Sequence, residues 1–180
     1  MTDKDLFAKT WKKDKSYPLC GHLPKNIIEE MKKDSIETQK DKLEKGFFIC
    51  SSAKYYQDMN EDNTKMTEKC IGEECEVSVK SECPSNTKKI GVFHTHYRFA
   101  KDIPSYADPS LPSYSDALLA KFSGPRFHCI GTYNKIRCAP SAGNPFPPRP
   151  VLEGIKLQKE YDRYIQKWKE KAVDCIITIK

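Results

Sequence analysis

The 180-residue chain has no apolar run near the ~20 residues that a membrane-spanning helix needs, so no helical span is expected. Its first residues, Met1-Thr-Asp-Lys-Asp-Leu6, carry no apolar core of the secretory type, which makes a cytoplasmic location the expectation. No internal repeat and no low-complexity tract is present, which excludes solenoids and arrays. Arg and aromatic residues do not cluster as a nucleic-acid surface requires. The net charge of +6 comes mostly from lysines interleaved with acids, as in Lys32-Lys33-Asp34 and Lys169-Glu170-Lys171, which reads as solvated helix faces. Paired CxxC knuckles are missing too, although there are eight cysteines. Histidine is scarce, with four in the chain, and two of them sit in one short segment.

That segment is Gly91-Val-Phe-His-Thr-His96. In a strand, alternate residues face one side, so His94 and His96 share a face roughly 7 Å apart, at about 3.3 Å rise per residue. Two imidazoles so placed suit one metal ion. An Asp at the start of a following helix can add a third ligand. Two His and one carboxylate leave a fourth tetrahedral position open, the arrangement of a catalytic zinc.

The rest of the chain reads as one domain with a real core. Leu23 to Met31 starts a helix with Pro24 at its first turn, and Ile27, Ile28, Met31 and Ile36 recur at helical spacing. The polar remainder to Lys45 is exposed helix or loop. Gly46–Ser51 is a short buried-type strand, residues 56–70 read as loop, and Cys75–Lys80 alternates as a half-buried strand. Lys89–His96 is a central strand, and Pro104, Pro109 and Pro112 punctuate the loop after it. A helix is expected over Ser115–Phe122, capped by Ser113 or Ser115. A hairpin follows over Arg126–Ala139, then a Pro-rich passage, a helix over about Val151–Lys171 and a terminal strand at Cys175–Ile179. Helices and strands mix without a regular βαβ repeat, so the class is α/β or α+β.

His94-Thr-His96, a loop, then Pro112-Ser113-Tyr-Ser-Asp116 leading into Ala-Leu-Leu-Ala resembles the JAMM motif of the JAB/MPN metalloproteases. The resemblance spans most of the chain, from about Leu23 to the last helix, with residues 1–22 as an N-terminal extension and a Cys-containing insertion around 55–88. It implies an α/β fold, a mixed β-sheet flanked by helices, of the JAB/MPN, cytidine-deaminase-like type. It implies zinc held by His94, His96 and Asp116. Glu44, just before an apolar strand, would be general base and then acid, and Ser113 would stabilise the oxyanion. The implied reaction is deubiquitinase-like: hydrolysis of the bond after a ubiquitin-like or sulfur-carrier tail, the substrate protein being the partner. A non-catalytic scaffold of the same fold, and hydrolysis of a small amide, are the alternatives.

The chain departs from the family pattern in three places. The spacer from His96 to Asp116 holds 19 residues, more than the best-known members carry. A shorter match, Pro104-Ser-Tyr-Ala-Asp108, leaves 11, but Pro109 follows it where Asp116 opens a helix. Tyr97 stands where the family often has Pro. Glu37, Glu30 and Glu29 are rivals to Glu44. Of the cysteines, Cys70, Cys75 and Cys83 leave three readings open: a second, structural zinc completed by Cys20 or His22, disulfides (a Cys129–Cys138 pair on the hairpin among them), or plain thiols. Cys50 and Cys175 read as core residues, and His22 and His128 as structural histidines.

Overall fold

The computed structural model describes residues 21–72, 82–97, 127–140 and 175–179, together with the helical residues Lys159 and Asp162. The expected strand over 75–80, most of the loop over 97–112 and the helix over 115–122 lie outside the described residues. So do the Pro-rich passage, nearly all of the helix over 151–171 and almost all of the N-terminal extension.

Helix α1 runs Lys25–Asp41. Pro24 stands at its N-cap, and the Pro24 carbonyl accepts from the amides of Ile27 and Ile28. Its pyrrolidine ring fixes φ, and its missing N–H is no loss at a helix start. The helix ends at Lys42, whose left-handed backbone (φ 63°) lets its amide close on the Thr38 carbonyl at 2.9 Å. The buried stripe is Ile27, Met31, Asp34, Ser35 and Thr38. Ile36, expected to join it, lies on the exposed side at the edge of the stripe. The small Ser35 takes the contact instead, because the helix lies close against β5: a Cβ added to Gly131 would meet the Ser35 hydroxyl oxygen at 2.0 Å.

The strands are β1 (Glu44–Ser51), β2 (Thr64–Met66), β3 (Cys70–Gly72), β4 (Lys88–Thr95), β5 (Phe127–Gly131), β6 (Lys135–Pro140) and β7 (Cys175–Thr178). They form a mixed sheet in the order β2-β1-β4-β5-β6-β7, with β3 also on β1. Only β4 and β5 run parallel; the other pairs are antiparallel. The expected strand near Gly46, the His strand, the hairpin and the terminal strand are all present. The stretch 56–70, read as loop, holds a 3-10 turn at Tyr56–Asp58 and the strand β2, and β3 starts at its last residue, Cys70. These strands are three residues long each, too short to carry an alternating pattern. Pairing with β1 makes them strands, aided by the hydroxyl bond between Ser51 and Thr64 at 2.9 Å.

One sheet face packs on α1. Phe47, Ile49, Phe93, Phe127, Cys129, Ile136 and Cys138 meet Ile27 and Met31 there. Phe47 and Phe93 lie 5.1 Å apart between centroids. Burying each large apolar side chain fully is worth roughly 1.5–3 kcal/mol, so this layer dominates the stability. Phe127 lies across Gly91, where an added Cβ would sit 2.1 Å from its ring. A register shift beside Ile49/Cys50 inserts Ile90 as an extra residue, and Ile90 joins the helix-side core instead of the face of Val92. The opposite face carries Phe48, Val92 and the histidines.

Disulfides join Cys50 to Cys83 and Cys129 to Cys138. Cys50, expected to be a plain core thiol, thus ties the end of β1 to the segment entering β4. Cys70 is also disulfide-bonded, and no described cysteine is free. A sulfur bonded in this way offers no thiolate to a metal, so Cys70 and Cys83 are not ligands of a second zinc in this state. No helix among the described residues is long and apolar enough to cross a membrane.

Candidate metal centre

The site is built on the face of the sheet away from α1. Strand alternation sends Phe93 and Thr95 toward the helix and Val92 and His94 away from it. His94 is 5% exposed and His96 2%, and their rings lie 4.7 Å apart. That is closer than the backbone spacing along a strand, so the two imidazoles lean toward one another.

Sequence reasoning did not single out the third member. His128 pairs in register with Val92, one strand over, and so shares the face of His94. Its ring lies 4.8 Å from that of His94, and it is 1% exposed. Three of the chain's four histidines form one buried cluster. The only signal in the sequence was that His128 stands at an apolar strand. Its place beside His94 follows from parallel pairing, which no local pattern announces. Farther along the same face, Arg137 of β6 stands opposite Ile130 of β5.

Glu44 opens β1. Gly46 pairs with His94, and Glu44, two residues before Gly46, lies on the same face of β1 by alternation. Glu44 and His94 therefore share one face of adjacent strands, with Gly46 between them adding no bulk. The rival acids stand on α1, which packs against the opposite face. Glu29 lies 3.9 Å from Lys25, and Glu30 is bound by Lys69. Ser113, Asp116 and the alternative Asp108 lie outside the described residues. Among the described residues no group of three His, Cys, Asp or Glu is disposed to hold a metal ion. His94 and His96 fit a zinc site as two of its ligands, nitrogen donors on one buried face, and a third ligand must come from elsewhere in the chain.

Hydroxyls and amides behind the strand hold it in place. Thr95 shares a hydrogen bond with Thr38 of α1 at 2.7 Å, and the Thr95 hydroxyl accepts from the Lys45 amide at 2.9 Å. The Lys45 ammonium, almost fully buried, reaches both carboxylate oxygens of Asp41 at 2.8 and 2.9 Å. The hydrogen bond from Lys45 holds the Asp41 carboxyl below its usual value. His96, one residue past β4, donates its amide to the Gly131 carbonyl at 2.8 Å, and its own carbonyl accepts from the Gln39 side chain at 2.9 Å.

A second charged cluster lies where α1 meets the approach to β3. Lys69 donates to Glu30 and, at 2.6 Å, to Asp34. Burial pushes the Asp34 carboxyl up to about 6 against the pull of Lys69. The hydrogen bond from Lys69 holds Glu30 below its usual range.

No protein-family model, curated protein or solved structure matches the chain.

Proposed function

We propose that the chain is a zinc-dependent hydrolase of the JAMM type. It would cleave the amide or isopeptide bond after a ubiquitin-like or sulfur-carrier tail. The observation that carries this reading is the convergence of the buried His94 and His96 rings, with Glu44 on the neighbouring strand, on the face of His94 by alternation. Asp116 would complete the ligand set, in the H-x-H…S-x-x-D order of the JAB/MPN metalloproteases. When bound, zinc supplies Lewis acidity, polarising the scissile carbonyl and acidifying a water. Glu44 takes the proton from the attacking water on a carboxylate oxygen and hands it to the departing amine. Ser113 donates to the oxygen on which charge develops.

The disulfides bear on location. Such bridges persist in oxidising compartments and are rare in the cytosol of most cells. The cytoplasmic placement expected from the N-terminus therefore requires a cytosol in which Cys50–Cys83 and Cys129–Cys138 survive.

The rival reading is a metal-free JAB/MPN scaffold. It draws on the lack of any three-ligand group among the described residues, and it would make the histidines packing groups. Elemental analysis of purified protein decides between the two. One zinc in wild type, lost in a His94→Ala/His96→Ala double variant, is the expected result. Wild type that stays metal-free when zinc is offered would favour the scaffold.

A further inference from the structure

Of the two proposed histidine ligands, His96 is the one that the β4 ladder does not orient. The strand ends at Thr95, and beyond a strand's last paired residue alternation no longer dictates which way a side chain faces. Yet the His96 ring stands beside that of His94, 2% exposed. Two hydrogen bonds fix the peptide units on either side of it. Its amide donates to the Gly131 carbonyl at 2.8 Å, which extends the contact with β5. Its carbonyl accepts from Gln39 Nε2 at 2.9 Å.

Gln39 sits in the last turn of α1, on the other side of the sheet from the imidazoles. The same nitrogen also approaches the Ser35 carbonyl, at 3.4 Å. The helix end is in turn registered on the strand by Thr38, whose hydroxyl shares a hydrogen bond with Thr95 and donates to the Leu43 carbonyl at 2.9 Å. Thr95 also takes the Lys45 amide, next to Glu44. The last turn of α1 thus touches both the end of the His strand and the start of the strand that bears Glu44.

We propose that Gln39 is a positioning residue. By holding the His96 carbonyl it sets the direction of the His96 imidazole, and so the geometry of the ligand pair. A carboxamide suits this role because it donates to a carbonyl without placing a charge behind the site. The inference rests on the zinc reading. Outer groups that orient metal ligands typically change metal affinity by about 10–100-fold when removed.

The test compares wild type with Gln39→Glu and Gln39→Ala. An ionised Glu has nearly the same shape but only accepts, so it faces the His96 carbonyl with no donor. In metal-free protein, hydrogen exchange at the His96 amide should rise in both variants while amides of β1 keep their protection. Zinc affinity, measured by competition with a chromophoric chelator, should weaken by about 10–100-fold. A helix contact that served stability alone would lower the melting temperature with zinc affinity and His96 exchange unmoved, and that result overturns the proposal. Wild-type zinc affinity in Gln39→Glu overturns it as well. If wild type itself takes no zinc, the metal reading fails, and this inference falls with it whatever the exchange data show.

Discussion

Gly46 lies directly across the β1–β4 ladder from His94, so the strand that bears Glu44 sets no side chain against the first histidine. Glu44 lies two residues before Gly46, on the same face of β1 by alternation. Under the proposed mechanism, Glu44→Gln keeps zinc at the wild-type level and lowers turnover by about 10²–10⁴-fold, the usual scale of general acid–base catalysis. Turnover of a tagged ubiquitin-like tail, measured beside metal content, checks this. Normal hydrolysis by Glu44→Gln would move the base elsewhere.

The third ligand can be assigned by subtraction. Asp116→Ala is expected to lose zinc as His94→Ala does, while Asp108→Ala retains it. Zinc lost from Asp108→Ala and kept in Asp116→Ala would reverse the assignment and adopt the shorter spacer.

The Cys50–Cys83 bridge should matter to the whole sheet, since it ties the end of β1 to the segment that leads into the His strand. A Cys50→Ser/Cys83→Ser variant is expected to lose about 2–4 kcal/mol of unfolding free energy, the common range for a native disulfide. Denaturant melts measure this. Alkylation of unreduced, denatured protein, followed by mass analysis, should leave Cys50, Cys83, Cys129 and Cys138 unlabelled. Labelled thiols in protein taken directly from cells would place the chain in a reducing compartment.

Asp34 should give stability an unusual slope with acid. Burial raises its carboxyl to about 6 in the folded protein, so the folded state holds this proton more tightly than the unfolded chain does. The sign follows from linkage: the contribution of Asp34 is fully present below the ordinary carboxylate value and is lost as pH rises through about 6. Glu30, held low by Lys69, acts in the opposite direction. Asp34→Asn should therefore flatten or reverse the decline expected between about pH 4 and pH 6. Urea melts across that range measure it, and an unchanged slope would refute the assignment to Asp34.

Much of this was legible in local sequence, and the reasons differ from residue to residue. Alternation placed His94 and His96 on one face, and the apolar runs around Phe47, Val92 and Ile130 announced buried strands. Pro24 marked the start of α1. Three features escaped because they depend on partners distant in sequence. His128 joins the histidines only through the parallel β4–β5 pairing. The three-residue β2 and β3 are strands only because β1 lies beside them. Ile36 has the spacing of a core residue, yet close packing of α1 on Gly131 favours the smaller Ser35. The bond from Gln39 to His96 was equally invisible, since a glutamine on a polar helix face carries no signal of its own.

The parallel contact between β4 and β5 also bears on timing. Neighbouring antiparallel strands can zip from a nearby turn, as β5 and β6 can, but β4 and β5 meet only after the whole segment between Thr95 and Phe127 has looped back. Loop closure of that kind is slow relative to local hairpin formation. The backbone grip of Gly131 on His96, and the neighbourhood of His128 and His94, therefore wait on that closure. A chain emerging from its N-terminus would carry His94 and His96 before β5, which brings His128 and Gly131 to them, has been made.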